Sequence, residues 1–399
     1  TVTLTSANLI AKGDFTISNG LFQHNNGTVS FNKVGSQSFF IFNGGATSFY
    51  NITITSSVST AGTTFFTIDN NFTISSGTFL AGNDLLIKGN YSNSGTYTNN
   101  SKTVTFAATD AGNTLAGNLS GTSKFYNLVF NGVAGAWSFT SNPAVEVAND
   151  LTITNGTVTS TSGNLTVTGN YSNAGTFTHN NGTVIFNATD AGNTLAGTLS
   201  GSSSFYNLTF SGAAGAWSFT SNPAVTVTNA LSISNGTVTA TSGNTTIGGN
   251  FTKTGGTFTH NSGTVIFNDN TKTSTLTYNA NIVFSSFTVS TVSKTIRFDN
   301  IDKTTVSGTF TVNGSACGTP VNLYSDSDTN QFDIDLTGSK TVDYAVIKDS
   351  NAITAATANS SISGGNNTNW TINNGLCNVA PDSPTSLAQK TTGDVVITT

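Results

Sequence analysis

The stretch Gly169–Phe186, which reads GNYSNAGTFTHNNGTVIF, decides the fold of this 399-residue chain. Further copies of it, the last more distant than the others, run over 89–106, 249–267 and 13–31. In the three most similar copies the same position is an asparagine. These residues, Asn90, Asn170 and Asn250, are evenly spaced along the sequence. Self-similarity at a fixed period is typical of chains built by stacking similar structural units. The sequence therefore predicts a repeat protein.

The segments between these copies also repeat, and their pattern indicates short strands. Residues 108–117 and 188–197 are identical. Over 150–169, apolar and polar residues alternate in short runs, and Asn-Gly and Gly-Asn dipeptides separate the runs. Alternation is typical of a strand with one buried face, and Asn and Gly tolerate the positive φ of tight turns. No stretch has a 3.6-residue apolar period, so we expect almost no helix.

We therefore predict an all-β chain that folds as a right-handed parallel β-helix, also called a β-solenoid. Each turn, or rung, would hold about 20 residues in three short strands, at the lower end of the periods seen in stacked repeats. Four rungs would make the 80-residue super-repeat. A β-sandwich fits less well, because it needs hairpins and its repeat would be a whole domain. Phe, Leu, Ile and Val would fill the axis, and corner asparagines would form amide ladders between rungs.

The repeat also sets the expected organisation of the chain. We expect a β-helix repeat region over 1–310, closing rungs or a cap over 311–377, and a linker followed by partial strands over 378–399. The repeat region divides into units at about 1–70, 71–150, 151–230 and 231–310. The first unit is degenerate, and the last unit is a good match over 231–267 and then drifts, as expected where a stack of repeats must close.

The composition excludes two classes of partner. Charged residues are 8% of the chain, the formal net charge is −5, and no cluster of Lys and Arg occurs, so binding to nucleic-acid phosphates is not expected. No apolar run approaches the roughly 18 residues of a membrane-spanning helix. Because the sequence starts at Thr1 with no visible signal peptide, we expect a processed mature chain.

Two cysteines, Cys317 and Cys377, lie near the end of the sequence. A single pair in a chain rich in Thr, Asn and Gly suggests one disulfide and an oxidising location. Closing a loop of that size would stabilise the fold by roughly 4 kcal/mol. The alternative is two free, buried thiols.

The histidines are candidates for metal binding or for corner positions. His24, His179 and His260 each precede Asn-Asn-Gly or Asn-Ser-Gly at the same place in their repeats. One super-repeat of four rungs would separate His179 from His260 by about 19 Å, whereas Zn–N bonds are about 2 Å. We therefore expect solvent-facing corner residues and no zinc site.

The acidic residues of the repeats do not form a catalytic pair. Glu146 stands alone, and one carboxylate cannot perform paired acid/base chemistry. Asp110 and Asp190 are repeat equivalents in a Thr-Asp-Ala-Gly corner, where a turn role is expected. One mixed-charge cluster contains Arg297, Asp299 and Asp302. It resembles a β-helix lyase site, but surface ion pairing explains it better.

A candidate calcium loop contains Asp326, Asp328 and Asn330, whose spacing places oxygen ligands as a calcium-binding loop does. However, Gln331 stands where that loop needs Gly, and Thr337 where it needs a bidentate Glu. A polar turn is the default interpretation, and no other metal or cofactor is predicted.

Two repeated surface motifs have alternative functions. Thr-x-Thr pairs would form a hydroxyl array like that of ice-binding solenoids, although Thr is also the usual polar residue of an outer strand face. Asn-x-Ser/Thr sequons permit glycosylation, although most arise from Asn-Gly-Thr corners. The Thr-x-Thr pairs include 152/154, 157/159, 166/168, 226/228 and 237/239, and the candidate glycosylation sites are Asn26, Asn51, Asn155, Asn170, Asn181, Asn207 and Asn250.

A resemblance to a known class becomes specific near the end of the chain. Residues 342–352 (VDYAVIKDSNA), followed by 365–370 (GNNTNW), resemble the closing block of bacterial secreted or cell-surface β-helix repeat proteins of the adhesin-like kind. The Gly-Asn-Phe/Tyr…Gly-Thr-Phe…Asn-Gly-Thr-Val-x-Phe unit is similar to their repeats, and the resemblance covers most of 13–375. It implies an extracellular β-solenoid and says little about a ligand.

The tail has a second resemblance. Residues 381–387 (PDSPTSL) and 394–398 (DVVIT) are similar to the opening strands of a fibronectin type III domain, whose remaining strands are absent. Either a further domain begins here, or the tail pairs with the edge of another subunit by strand addition.

From the sequence we expect a non-enzymatic, extracellular structural or adhesive β-solenoid, either a cell-surface stalk or the subunit of a filament or surface layer. Its partners would be copies of itself, other surface proteins or glycans. The first alternative is a β-helix that binds or cleaves polysaccharide, and the second is an ice-binding solenoid.

Overall fold

The structure is a computed structural model that describes residues 2–4, 6–18, 22–41, 48–62, 65–377, 386–389 and 395–398. It contains 57% strand and 2% helix, and parallel strands stacked about 21 residues apart form a β-solenoid of about 17 turns. The predicted fold class is confirmed, whereas the handedness stays a prediction. The chain divides into two compact units, one of residues 1–247 with 251–263 and the other of 248–250 with 264–399.

Among its described residues, the first unit has 32 strands and two short 3-10 helices, Gly121–Ser123 and Gly201–Ser203. Its strands are β1 Val2–Thr3, β2 Leu9–Ala11, β3 Phe15–Ile17, β4 Phe22–Gln23, β5 Thr28–Phe31, β6 Ser36–Ile41, β7 Ser48–Phe49, β8 Asn51–Ile54, β9 Ser57–Gly62, β10 Phe66–Ile68, β11 Phe72–Ile74, β12 Thr78–Leu80, β13 Leu85–Ile87, β14 Tyr91–Asn93, β15 Thr96–Thr98, β16 Thr103–Phe106, β17 Asn113–Gly117, β18 Asn127–Phe139, β19 Val145–Val147, β20 Leu151–Thr159, β21 Asn164–Val167, β22 Tyr171–Asn173, β23 Thr176–Thr178, β24 Thr183–Phe186, β25 Asn193–Gly197, β26 Phe205–Phe210, β27 Ala216–Phe219, β28 Val225–Ile233, β29 Thr237–Thr239, β30 Asn244–Ile247, β31 Phe251–Lys253 and β32 Thr257–Thr259.

In the part of the second unit that the structure describes, there are 14 further strands and the 3-10 helix Gly375–Cys377. Its strands are β33 Thr264–Phe267, β34 Thr273–Tyr278, β35 Ile282–Phe284, β36 Ser286–Val289, β37 Thr295–Phe298, β38 Thr304–Val306, β39 Thr309–Asn313, β40 Val321–Ser325, β41 Phe332–Leu336, β42 Ser339–Asp343, β43 Ala345–Asn359, β44 Ile362–Asn373, β45 Ser386–Gln389 and β46 Val395–Thr398. The predicted boundary between 310 and 311 lies inside this unit.

In the first unit each turn has three sides, and strands of successive turns pair in parallel register. Leu151 in β20 pairs with Leu128 in the preceding turn and with Tyr171 in the following one. The other two sides of its turn carry Val158 and Leu165. Parallel neighbours need a connection of a dozen or more residues, and the remaining two sides of the turn supply it.

The super-repeat does not contain a whole number of turns. Leu151 is the equivalent of Phe72 one repeat earlier, yet it stacks above Leu128, Val104 and Leu85. Leu85 lies two sides after Phe72, in the third side of the same turn. Phe72 and its equivalent Leu151 are therefore separated by three turns and two sides. The expectation of four whole rungs is wrong by one side, and corresponding residues of successive copies face different sides of the solenoid.

Alternation buries one set of side chains in the axis, as predicted. In β22, Tyr171 and Asn173 are buried, and Ser172 between them is half-buried. Aromatic rings stack from turn to turn, with 5.5 Å between the ring centroids of Phe186 and Phe210. Because these side chains leave water on folding, the axis is the hydrophobic core of every turn.

The predicted Asn155-Gly156 corner has a packing reason for its glycine. Gly156 has a φ of +85°, and a Cβ at this position would lie 2.5 Å from the carbonyl oxygen of Gly135 and 2.8 Å from the Trp137 ring. Only glycine adopts this conformation and leaves the space. The indole of Trp137 is thereby fully buried beneath the corner.

The second unit narrows toward its last turn. Ile296 pairs with Leu323, whereas Val346 pairs with Ile362, so the closing turn is little more than half as long in sequence as the earlier one. Small residues such as Ala358 occupy the inward positions there, where Phe and Leu stand elsewhere. A shorter turn encloses less volume, so smaller side chains fill it.

The tail strands β45 and β46 pair with each other in antiparallel register. They overlap the predicted fibronectin-like segments, but residues 378–385, 390–394 and 399 lie outside the described part of the chain.

Candidate functional site

Each histidine holds a corner of the solenoid. The Nδ1 atom of His179 accepts a hydrogen bond from the backbone N–H of Asn181 at 3.1 Å. Both residues after it, Asn180 and Asn181, have positive φ values of 36° and 58°. The same bond, of 3.0 to 3.1 Å, joins His24 to Asn26, Asn99 to Ser101 and His260 to Ser262. The position selects for a side-chain acceptor, because asparagine fills it as histidine does.

A polar cluster around Asp69 was missed in the sequence. The Asp69 carboxylate accepts hydrogen bonds from His24 Nε2 at 3.2 Å, from Lys88 Nζ at 2.7 Å and from the Ser48 hydroxyl. Burial acts to raise the pKa of Asp69, but the hydrogen bonds from Lys88, Ser48 and His24 outweigh it and lower the pKa. Ser48, Asp69 and Lys88 are spaced by about one turn, and this spacing could have revealed the cluster.

This cluster is not a nucleophile relay. The hydroxyl of Ser48 donates to Asp69 and not to His24, so the imidazole cannot take its proton. His24 already accepts the N–H of Asn26 through Nδ1, and its ring stacks on Tyr50 with 5.5 Å between centroids. With Lys88, the arrangement ties four successive turns together.

Corner asparagines form the predicted ladders. Asn71 Oδ1 accepts the backbone N–H and the side-chain amide of Asn90 at 3.0 and 2.9 Å. Asn90 Oδ1 in turn accepts the N–H and hydroxyl of Thr114 at 2.8 and 2.9 Å. In the next copy, Asp150 and Asn170 continue the same pattern. Each step of the ladder provides an acceptor for a backbone N–H at a corner, where no strand partner is available to accept it.

Several of the candidate glycosylation sites are asparagines that bond a neighbouring turn. The side-chain amide nitrogens of Asn51, Asn170 and Asn207 each donate a hydrogen bond to a neighbouring turn. Asn155 likewise donates to Asn131, and Asn250 accepts the N–H of Thr275. Asn26 and Asn181 are exposed corner residues of the histidine turns. A glycan on an asparagine that bonds a neighbouring turn would displace that turn, so Asn26 and Asn181 suit the modification best.

Asp110 and Asp190 hold turns of the repeats in the structure, whereas Glu146 lies in strand β19. Asp110 Oδ1 accepts from Asn113 at 3.1 Å, and Asp190 Oδ1 accepts from Asn193 at 3.2 Å. Glu146 accepts the N–H of Gly121 at 3.0 Å.

The cluster of Arg297, Asp299 and Asp302 is not brought together as an active site. Asp299 is buried and accepts three backbone N–H groups, from Tyr278, Ile301 and Asp302. The guanidinium of Arg297 donates to the carbonyl of Ser325 at 2.9 Å and lies 3.5 Å from Asp328. It also lies over the ring of Tyr324, with 5.9 Å to the ring centroid.

The candidate calcium residues lie in the same region, but their side chains have different surroundings. Asp326 accepts the N–H of Asn300 at 3.0 Å, and burial followed by the nearby Asp299 raises its pKa. The side chain of Asp328 is 80% exposed and faces Arg297, while Asn330 is exposed. In the part of the chain that the structure describes, no group of three His, Cys, Asp or Glu side chains is placed to hold a metal ion.

The two cysteines form a disulfide, with 5.2 Å between the Cα atoms of Cys317 and Cys377. The bond joins the residues after β44 to the loop before β40. In β44 itself, Trp370 donates its indole N–H to Ser350 at 2.9 Å.

A buried lysine was also missed in the sequence. Lys294 has no exposed surface, and its ammonium donates to the carbonyl oxygens of Gly248, Asp269 and Lys272 at 3.0, 2.8 and 2.8 Å. Burial lowers the pKa of Lys294 to about 8. All three protons of the charged form have an acceptor, so this group is a structural clamp.

The Thr-x-Thr pair at Thr157 and Thr159 forms a patch that is two turns deep. Thr157 and Thr159 pair with Thr176 and Thr178 in the next turn. The side one turn before carries Ala136 and Ser138 at the corresponding positions. The patches recur once per super-repeat, and the rotation between copies places them on different sides of the first unit.

No helix among the described residues is long and apolar enough to cross a membrane. Comparison of the chain with models of protein families, with curated proteins and with solved structures finds no match.

Proposed function

We propose that the protein is a non-enzymatic extracellular β-solenoid with a structural or adhesive role, as a cell-surface stalk or as the subunit of a filament or surface layer. One observation carries the proposal: the polar side chains that chemistry would need are used to connect one turn to the next. The asparagine ladders, the Asp69 cluster and Lys294 each join successive turns. These bonds resist separation of turns along the stack, which is what a spacer or filament must do.

The disulfide supports the extracellular location, because such bonds form and persist in oxidising compartments. Adhesion would then use the corners and outer faces, where Asn, Thr and Ser predominate.

Electron microscopy of purified protein in negative stain tests the proposal. We expect elongated particles or ordered assemblies that lengthen with protein concentration if the chain is a filament subunit. Dispersed single particles at every concentration would exclude the filament and leave the stalk. Turnover of a polysaccharide by the same material would contradict the non-enzymatic assignment.

A polysaccharide-binding β-helix is the second candidate, favoured by the position of Arg297 over the ring of Tyr324. An aromatic ring beside charged groups offers sugars both an apolar face and polar partners. A glycan panel probed with the parent protein and with Arg297→Ala tests it. Asp299 is unsuitable for such a test, because its loss would leave three backbone donors unpaired. Binding that survives Arg297→Ala unchanged would remove this surface.

An ice-binding solenoid is the third candidate and rests on the Thr patches. It predicts thermal hysteresis in the purified protein. The patches at Thr157 and at Thr237 are each two turns deep and lie on different sides of the first unit, which argues against a single ice-matching face formed by these patches.

A further inference from the structure

We propose that a groove on the outer surface of the first unit binds one ring of a neutral saccharide. The inference rests on the adhesive form of the function proposed above, to which it adds a ligand class and a binding surface. The groove has a volume of about 270 Å³ and crosses three successive turns. It is lined by residues 213–216, Asn235, Gly236, Thr237 and Gly256.

One wall of the groove is a turn that the preceding super-repeat lacks. There the equivalent residues 131–135 belong to the continuous strand β18, whereas residues 211–215 lie between β26 and β27 and form a turn. The N–H of Gly215 donates to the carbonyl of Gly212 at 3.1 Å and closes this turn. Ala213 and Ala214 are exposed at its tip, so their methyl groups give the groove one apolar wall.

The opposite rim is a corner with an extra glycine. One super-repeat earlier, a single glycine, Gly175, stands where this corner has Gly255-Gly256. Gly256 has a φ of +62°, and a Cβ there would lie 2.3 Å from the carbonyl oxygen of Gly236. The additional residue lengthens the corner without adding a side chain, so the space beside Gly236 stays open to solvent.

The polar group best placed to recognise a ligand is the side chain of Asn235. One super-repeat earlier, the equivalent Asn155 donates to Asn131 at 2.9 Å. Here Ser211 replaces Asn131, and its hydroxyl bonds Asn187 at 3.5 Å instead. Asn235 is exposed, and within the described part of the chain its amide has no hydrogen-bond partner. A free amide offers both donors and an acceptor, which neighbouring hydroxyls of a sugar can use together.

The surroundings of the groove favour an uncharged ligand. From 151 to 252, Asp190 is the only Asp, Glu, Lys or Arg in the sequence. Its carbonyl accepts the N–H of Ala216 at 3.1 Å, so this residue belongs to the corner beside the groove. A lone carboxylate repels acidic sugars, and no Lys or Arg of this stretch could neutralise them. A neutral sugar needs no opposite charge.

The floor of the groove is preformed. The Trp217 indole is 1% exposed and packs beneath Gly215 and Gly236, where added Cβ atoms would lie 2.3 and 2.7 Å from its ring carbons. Binding on such a floor orders few protein side chains, which keeps the entropic cost of association small. The volume lies just below the range of sites for drug-sized ligands, so it suits a single ring.

Binding of the purified protein to a panel of immobilised neutral and acidic oligosaccharides tests the proposal. Ala213→Glu places a carboxylate in the groove, and Asn235→Leu removes the amide at similar size. The matched control for Ala213→Glu is Val133→Glu, at the equivalent exposed position one super-repeat earlier. Circular dichroism of each variant checks that the fold is retained.

We expect the parent chain to bind neutral oligosaccharides and to leave acidic ones unbound. Ala213→Glu should abolish this binding, and Asn235→Leu should weaken it by roughly tenfold, as expected for the loss of hydrogen bonds from one side chain. Val133→Glu should bind as the parent does.

The outcomes separate this inference from the proposed function. Binding of neutral sugars that survives Ala213→Glu, or that Val133→Glu abolishes equally, would overturn the assignment to this groove. A parent chain that binds no neutral oligosaccharide would overturn the inference as a whole. Elongated particles or filaments in negative stain would still support the structural role in that case.

Discussion

At the corners, single residues act through one hydrogen-bond acceptor. His179 and Asn99 occupy the same position and accept the same backbone N–H. We therefore expect His179→Asn to change the free energy of unfolding by less than about 0.5 kcal/mol, and His179→Ala to lower it by about 1 kcal/mol, the net value of one such bond. Chemical denaturation of the three proteins gives the comparison. Equal losses for Asn and Ala would mean that the ring contact with Tyr206, at 5.4 Å, matters instead.

Lys294 provides a second test at this scale. Its pKa is lowered to about 8 in the folded chain, whereas an unfolded lysine holds its proton to about pH 10.4. Between these values the unfolded chain binds more protons, so the free energy of unfolding rises with pH, by roughly 1 to 2 kcal/mol from pH 8 to 9.5. Measurements stop there because buried tyrosines such as Tyr171, whose pKa is raised by burial, reverse the trend near pH 10.

The control for this pH dependence is Lys294→Met. It removes the titrating group and leaves three carbonyl oxygens without a donor, so we expect a loss of about 3 kcal/mol at pH 7. Its stability should be flat over the pH range in which the parent gains. Parallel pH profiles for the two proteins would show that another group is responsible.

At the scale of the strand, one position of β30 is underfilled. Thr245 stands where the other copies have Leu85 and Leu165, and a small cavity of about 10 Å³ is lined there by residues that include Phe210, Val225 and Phe258. Thr245→Leu should fill it and raise the free energy of unfolding by about 1 kcal/mol. Thr245→Val, which replaces the hydroxyl with a methyl group, should gain less, and the midpoints of chemical denaturation give the comparison. A loss with Leu would mean that the neighbouring turns cannot move to admit it.

At the scale of the whole molecule, stability in a stack of turns is local. Each turn contacts its neighbours, so a change in one region need not reach another. The Cys317–Cys377 bond closes a loop of 60 residues, for which the chain-entropy model gives roughly 4 kcal/mol. In the double Cys→Ser variant we expect faster amide hydrogen exchange in β40 to β44 and unchanged exchange in the first unit. Uniformly faster exchange would show that the two units unfold as one cooperative body.

The sequence by itself determined the periodic part of this protein. Alternation at β22, the Asn155-Gly156 corner and the asparagine ladder through Asn90 follow from local preferences, because a strand face, a positive φ and a corner acceptor are each specified by one or two residues. Residues that repeat at a fixed interval must also meet equivalent neighbours, which made the stacking predictable.

Only the tertiary structure decided what depends on the exact length of each turn. Whether a repeat ends on the side of the solenoid where it began depends on how many sides its residues form. The repeat period alone therefore does not show that Leu151 and Leu85 lie on the same side. The same holds for Lys294 and the three carbonyl groups that accept its hydrogen bonds. These groups meet because turns of unequal length bring distant residues into register. No local sequence pattern shows how the lengths of those turns add up.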